Sequence, residues 1–168
     1  MVHFPLHPET PQEGQSLAKM FGPEKDLDAM NSNMKNLMDK EGLPYKSRTM
    51  TYNSRLAQEL GTWADTQSGG ELIHEAIYKS YFVQNKNIAD IQVLIEIVKQ
   101  SKLNEIEAEN ALKNRTFKEA VDKDWSKARN IGVTGVPTYV AGGAGVVGAQ
   151  PYEALVKLVE HAIEQNGN

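Results

Sequence analysis

The stretch Gly132-Val133-Thr134-Gly135-Val136-Pro137-Thr138-Tyr139-Val140 decides the fold class of this 168-residue chain. Proline has no backbone N–H to give to a sheet ladder, so in a strand pattern it is confined to the first residue, an edge or a bulge. Strand-favouring residues follow Pro137, which predicts that Pro137 begins a strand. The chain contains no cysteine, so none of its residues can supply a thiolate or form a disulfide.

Outside this stretch, the spacing of apolar residues predicts a helix-rich chain with a hairpin near its C-terminal end. Residues 137–148 are predicted to form this hairpin, which turns at Gly142-Gly143. The predicted helices run from Leu27 to a stop at Gly42, over residues 54–66, 71–84 and 88–100, from capping boxes at Asn104 and Thr116, and from Pro151 to about Gln165.

Two of these helices carry apolar stripes that we expect to face the core. Met30, Met34 and Met38 recur at helical spacing in the first helix, where a core stripe is favoured over an adaptable methionine groove. In the last helix, Val159 and Ile163 belong to a stripe that is predicted to be buried.

Several segments resemble DsbA-like oxidoreductases of the FrnE type. Residues 132–140 resemble the cis-proline loop of thioredoxin-fold proteins, and Asn53-Ser54-Arg55-Leu56-Ala57 resembles the family's Asn-Thr-x-x-Ala helix start. Val146-Val147-Gly148-Ala149-Gln150-Pro151 is similar to its Ser-Gly-Ala-Gln-Pro turn. Val2-His3-Phe4-Pro5-Leu6, followed by Pro8 and Pro11, resembles the family's second strand and the proline-rich loop after it, which predicts a strand over residues 2–6. The resemblance implies an α/β, thioredoxin-like fold in a single domain over residues 1–168. A large helical insertion would occupy about residues 12–115, and a thioredoxin-like part about residues 116–168.

The resemblance also implies that the family's first strand and first helix, which opens with Cys-x-x-Cys, precede the point where this sequence begins. The absent strand would lie centrally, between residues 2–6 and the hairpin. Unpaired backbone groups in a core cost about 1–3 kcal/mol each. We therefore expect residues 2–6 to move inward, or a second copy to supply a strand, which predicts a homodimer or a strand-swapped oligomer.

By the same resemblance, the Val136-Pro137 bond is cis, and Gly135, Val136, Pro137 and Thr138 bind an extended peptide or thiol substrate through backbone contacts. Gly135 would permit the close approach. We assign no catalytic residue, because the family's chemistry needs a thiolate. The sequence therefore predicts a relative of protein-disulfide oxidoreductases that is redox-inactive as it stands. The alternatives are a non-catalytic binding or scaffold protein, or a relative of glutathione-dependent isomerases and transferases, whose serine would lie in the absent helix.

Composition limits the partners of the chain. A net charge of -4 and a pI near 5.6 argue against nucleic acid and anionic membranes, which both favour clustered positive charge. No secretory signal is visible at residues 1–5, which predicts a cytoplasmic protein. The apolar block at residues 91–98 is far shorter than the ~20 residues of a membrane-spanning helix. No cofactor is predicted.

Two further motifs suggest dinucleotide binding and zinc binding, but the evidence for each is weak. Residues 143–148 match Gly-x-Gly-x-x-Gly, but the dinucleotide motif requires an immediate helix within a strand–helix–strand unit, whereas Val146-Val147 is predicted as strand. His3, His7 and Glu9 could hold zinc only if the segment curled, because His3 and His7 would be ~13 Å apart in a strand. We therefore predict a hairpin turn and no metal site.

Overall fold

The computed structural model describes residues 1–166. In that part of the chain the elements follow in this order: β1 (Gln15–Ser16), α1 (Leu17–Phe21), α2 (Leu27–Lys40), β2 (Met50–Thr51), α3 (Arg55–Ala64), α4 (Leu72–Phe82), α5 (Ile91–Gln100), α6 (Glu105–Lys113), α7 (Lys118–Asn130), β3 (Thr138–Ala141), β4 (Ala144–Val147) and α8 (Tyr152–Asn166). The predicted helices and the predicted hairpin are therefore confirmed, with ends that shift by a few residues.

The chain divides into two compact units. The helical unit is His7–Asp122. The hairpin unit consists of Met1–Leu6 together with residues 123–166, and α7 runs through the boundary. The sequence-based division, with an insertion over about residues 12–115 in a single domain, stays a prediction.

The core of the helical unit is built by α3, α4, α5 and α6. Its most deeply buried side chains come from every one of these helices, and α3 contacts each of the other three. The core residues are Ala57, Leu60, Trp63, Ala64, Ile73, Ile88, Leu94, Ile97, Val98, Ala108 and Leu112. Burial of these apolar surfaces is the main favourable contribution to folding of the unit.

Side-chain caps fix where several of these helices begin. Asp90 accepts a hydrogen bond from the N–H of Gln92 at 2.8 Å, and Asn104 accepts from the N–H groups of Ile106 and Glu107 at 3.1 and 3.2 Å. Such caps satisfy amide groups that have no partner inside the helix. The cap at Asp90 explains why the β-branched residues of α5 form a helix, as predicted.

The apolar stripe of α2 is not buried, and the prediction of a core stripe was wrong. Met34 is 43% exposed, Leu37 is 41% exposed, and no residue of α2 is fully buried. Asn31 instead joins the helix to its surroundings, since its Oδ1 accepts from the Tyr45 hydroxyl at 2.8 Å and its Nδ2 donates to the Arg48 carbonyl at 3.2 Å. An amphipathic pattern shows which face of a helix could be buried. It does not show whether another element packs against that face.

A buried carboxylate joins distant parts of the helical unit. Glu59 is 2% exposed, and its oxygens accept hydrogen bonds from Arg55 Nε at 2.6 Å and from Arg115 Nε and Nη2 at 2.8 and 2.7 Å. Arg55 also donates to the Lys118 carbonyl at 2.7 Å and pairs with Asp122 at 2.7 Å. This network ties α3 to the beginning of α7 and to the turn before it.

Burial alone would raise the pKa of Glu59. The hydrogen bonds and positive charges of Arg115 and Arg55 outweigh burial, so the pKa lies below its ordinary value of 4.5. The pKa of Asp122 is also lowered, first by its hydrogen bond with Lys118 and then by Arg55. Both carboxylates are therefore held in the charged form at neutral pH.

The hairpin unit is built from β3, β4 and α8. The strands are antiparallel, with Thr138 opposite Val147 and Ala141 opposite Ala144, and α8 packs against both strands. Gly142 and Gly143 have φ values of 57° and 77°, which suits glycine in a two-residue hairpin turn. A Cβ at Gly142 would lie 2.6 Å from Ala162 Cα, so the turn touches α8 at a point where only glycine fits.

Residues 2–6 are not a strand, so that prediction was wrong. The His3 N–H donates to Asp124 Oδ2 at 2.9 Å, the Leu6 N–H donates to the Phe4 carbonyl at 3.0 Å, and Pro5 has no N–H to donate. The hydrogen bonds of this segment thus go to a nearby carbonyl and to the Asp124 side chain, and not to a neighbouring strand. The burial predicted for the last helix was also wrong in part, because Val159 and Ile163 of α8 are 54% and 67% exposed.

The Glu59 network predicts a pH-dependent stability. The pKa of Glu59 in the folded state lies below 4.5. The stabilisation that its charge gives is therefore complete above pH 4.5 and is lost as the pH falls through the folded-state pKa. Glu59→Gln should lower the free energy of unfolding by about 3 kcal/mol at pH 7. The difference from the unsubstituted chain should shrink as the pH falls below 4.5, measured by urea unfolding at a series of pH values.

Glu75→Gln is the matched control, because Glu75 also pairs with a basic residue on its own helix but both partners are more than half exposed. It should change stability by no more than about 0.5 kcal/mol. A pH-independent loss in Glu59→Gln would contradict the proposed charge interaction.

Candidate functional site

The candidate site begins where α7 ends. The N–H of Gly132 donates to the Arg129 carbonyl at 3.0 Å, and the N–H of Val133 donates to the Ala128 carbonyl at 3.0 Å. Gly132 has a φ of 76°, in the left-handed region that favours glycine at helix ends. The chain therefore leaves the helix at a defined point and enters the loop at residues 133–137.

The structure brings the four predicted site residues together in one tight turn at the mouth of β3. The Val136-Pro137 peptide bond is cis. The Thr138 hydroxyl donates to the Gly135 carbonyl at 2.6 Å, and the Pro137 carbonyl accepts from the Gly148 N–H at 2.8 Å. The turn is thus closed on itself and anchored to the residue that follows β4.

The outer side of this turn is open. Val136 is 48% exposed, and a Cβ added at Gly135 would meet nothing within 4 Å. The φ of Gly135 is not in the left-handed region. Neither backbone conformation nor packing within the described chain therefore requires glycine at position 135, although a ligand that approaches the backbone closely would.

The edge of β3 that faces away from β4 is also open among residues 1–166. In a two-residue hairpin the residues next to the turn form a hydrogen-bonded pair, and hydrogen-bonded pairs then alternate along the strands. Ala141 and Tyr139 therefore pair with β4. The backbone N–H and C=O groups of Thr138 and Val140 point to the outer edge, where an added strand would bind.

The candidate site has no titratable group of its own, and its one hydroxyl, on Thr138, donates to the Gly135 carbonyl. Gly135, Val136, Pro137 and Thr138 carry no titratable side chain, and the sequence has no cysteine. Within the described chain, no three His, Asp or Glu side chains are placed to hold a metal ion. The Gly-x-Gly-x-x-Gly match covers the hairpin turn and β4, with no helix directly after the turn. The site could therefore act only by binding, through the backbone of the turn at residues 135–138.

None of the helices between residues 1 and 166 combines the length and the apolar character that crossing a membrane requires.

Asn53, the first residue of the family-like helix start, has a structural role in the helical unit. Its Oδ1 accepts from the Arg55 N–H at 2.9 Å, and its Nδ2 donates to the carbonyls of Pro8 and Thr10 at 3.0 and 2.8 Å. One side chain thus binds the first N–H of α3 and holds the segment at residues 8–10.

Sequence reasoning missed a second concave feature, a polar cavity beside β2. Its lining includes Arg48, which lies before β2, and Tyr81 and Asn85, which lie at and just after the end of α4. No motif spacing connects them, so only the folded structure could reveal this cavity.

The model of the DSBA-like thioredoxin domain family matches residues 1–160. The chain belongs to this family. Among solved structures, the chain is similar to a probable DsbA oxidoreductase from Streptomyces coelicolor, with a TM-score of 0.80 and 23% identity over 94% of this chain and 71% of the other. It is also similar to a proposed protein disulfide isomerase from Nitrosomonas europaea, with a TM-score of 0.67 and 16% identity over 86% and 76% of the two chains.

The search of curated proteins found no significant match. The two structural likenesses establish the fold, and with the family match they confirm the α/β, thioredoxin-like prediction. The DsbA-like family is one of thiol-disulfide oxidoreductases. Thiol-disulfide exchange requires an attacking thiolate, and no residue of this sequence can provide one.

Proposed function

We propose that this chain binds extended polypeptide segments at residues 135–138 and that its own residues do not exchange disulfides. The observation that carries the proposal is the open turn at the mouth of β3, where Val136 is 48% exposed and none of the four predicted residues has a titratable side chain. Extended peptides bind such sites by adding backbone hydrogen bonds at a sheet edge. The absence of cysteine limits the role of these residues to holding the substrate.

This binding role is compatible with two functions of the chain, which an experiment can distinguish. In one, the chain is the substrate-holding part of an oxidoreductase of the FrnE type, and the cysteines come from residues outside the printed sequence. In the other, it is a cytoplasmic, thioredoxin-like binding or scaffold protein without redox chemistry. The intact mass and N-terminal sequence of the native protein distinguish them, because a Cys-x-x-Cys extension would raise the mass above 18.6 kDa.

The same groups support a proposal about assembly. Val140 and Val147 are 50% and 55% exposed on the hairpin, and no strand within residues 1–166 pairs with the outer edge of β3. Exposed, unpaired strand edges tend to pair with another strand. We infer that, when no peptide is bound, a second copy of the chain supplies this strand, which gives a homodimer that competes with peptide binding.

Gly135→Ala tests the binding site. The added methyl group meets no neighbour within 4 Å, so the free energy of unfolding should change by less than about 0.5 kcal/mol. Binding of a fluorescent, extended model peptide should weaken about tenfold, because the methyl group would separate the peptide from the backbone by more than a hydrogen bond tolerates. Fluorescence anisotropy measures the affinity.

Gly145→Ala is the matched control, since a Cβ there makes only ordinary contacts at 3.4 Å or more and lies on β4. It should leave peptide binding within about twofold. Equal weakening by the two substitutions, or none by Gly135→Ala, would place peptide binding elsewhere.

The redox part of the proposal is tested by insulin reduction in the presence of dithiothreitol. The pure 168-residue chain should give the same rate as buffer, because it has no thiol. A rate clearly above background would contradict the assignment while leaving the peptide-binding result unaffected.

The assembly proposal is tested by sedimentation equilibrium. The unsubstituted chain should have twice the monomer mass of 18.6 kDa. Val140→Pro removes an outward-pointing N–H without removing a β3–β4 hydrogen bond, and it should shift the equilibrium to monomer. Val147→Pro, the same change on the outer edge of β4, should leave the dimer intact. A monomeric unsubstituted chain, or dissociation only by Val147→Pro, would refute pairing through β3.

A further inference from the structure

The polar cavity beside β2 has features of a binding site that is separate from the candidate peptide site. It has a volume of about 60 Å³ and is lined by Arg48, Thr49, Met50, Tyr52, Tyr81 and Asn85. In this measure one water needs about 10–15 Å³, so the cavity has room for a ligand fragment of roughly five non-hydrogen atoms. All of its lining residues belong to the helical unit.

Arg48 brings a positive charge to this cavity without an acidic partner. No carboxylate of the described residues lies within 4 Å of its guanidinium group. Its Nη1 contacts the Tyr81 hydroxyl and lies 3.5 Å from the Met50 carbonyl. Guanidinium groups have five N–H donors, so Nε and Nη2 keep donors for a ligand.

The position of Arg48 is fixed by several contacts. Its Cζ lies 4.8 Å from the Tyr81 ring centroid and 5.7 Å from that of Phe82, which are cation–π distances. Its backbone N–H and carbonyl are both bound by the Asn31 side chain at 3.2 Å. A guanidinium group held in this way loses little freedom when it binds an anion.

Asn85 supplies the complementary group. Its Nδ2 donates to the Ser47 carbonyl at 3.0 Å, while its buried Oδ1 accepts no hydrogen bond from the described residues. The Asn85 backbone has a φ of 55°, in the left-handed region that asparagine tolerates better than most residues. A buried carbonyl oxygen without a donor costs free energy, so a ligand N–H at this point would be favoured.

We propose that this cavity binds a small carboxylate with an adjacent N–H donor, as in an amino acid or the C-terminal residue of a peptide. The carboxylate lies against Arg48, because planar guanidinium groups bind carboxylates with paired hydrogen bonds. The N–H donates to Asn85 Oδ1 once the Asn85 side chain turns this buried oxygen towards the cavity. The aromatic faces of Tyr52 and Tyr81, whose centroids are 6.5 Å apart, border the carbon atoms of the ligand.

The test is an NMR titration of the ¹⁵N-labelled 168-residue chain with N-acetylglycine. The largest shifts should fall at residues 48–52, 81 and 85. N-acetylglycine methyl ester, which lacks the charge, and acetate, which lacks the N–H, should each bind about tenfold more weakly. These comparisons use the unsubstituted chain and do not depend on how any variant folds.

Arg48→Gln should weaken binding of N-acetylglycine at least about tenfold, and Arg48→Lys should restore only part of it because lysine lacks the planar fork. Lys46→Gln is the matched control: Lys46 is an exposed cation two positions away, and its loss should change affinity by less than about twofold. Thermal unfolding of each variant separates lost binding from lost structure.

Each outcome decides the proposal. Tighter binding of N-acetylglycine than of glycine supports a peptide C-terminus as the source, and the reverse supports a free amino acid. An absence of shifts, equal binding of the methyl ester, or binding of inorganic phosphate as tight as that of N-acetylglycine would overturn it. An absence of shifts would mean that water alone hydrogen-bonds to Asn85, and equal binding of phosphate would mean that the cavity binds anions in general.

Discussion

The burial of the Glu59 carboxylate is the constraint on which the helical unit depends. A charge that is 2% exposed is stable only when it is paired and hydrogen-bonded, because removal from water is costly. Arg55 and Arg115 meet this requirement, but they come from α3 and from the turn before α7. These segments must therefore lie together whenever α3 is packed, and Arg55 extends the connection to the Lys118 carbonyl and Asp122.

The two units offer different kinds of surface. The hairpin unit presents backbone groups at the turn before β3 and along the outer edge of that strand, which suit an extended chain. The helical unit presents a small polar cavity in which Arg48 and Asn85 keep binding capacity. Backbone recognition tolerates many peptide sequences, whereas a fixed guanidinium and a single acceptor select for charge and hydrogen-bond pattern. The proposed peptide site and the proposed carboxylate site therefore differ in how selective they would be.

Prediction from sequence failed where a segment with the expected pattern of apolar residues has no second element to pack against or pair with. The α2 stripe and Val159 in α8 have the periodicity of buried residues, yet both are exposed because no element of the described chain covers them. Residues 2–6 resemble a strand of the family, but a strand needs a partner strand, and the His3 N–H bonds instead to the Asp124 side chain. The pair β1–β2 is only two residues long on each side, too short for any period to appear in the sequence.

The sequence by itself determined helices α2 to α8, the hairpin and the turn at Pro137, because caps, turn glycines and Pro137 act through groups only a few residues apart. It also determined the absence of thiol chemistry, since that depends on composition alone. The tertiary structure decided the partners of Glu59, the exposure of α2 and the cavity at Arg48. These depend on residues such as Arg115 and Asn85, which meet their partners only after the helices pack and which no local spacing connects.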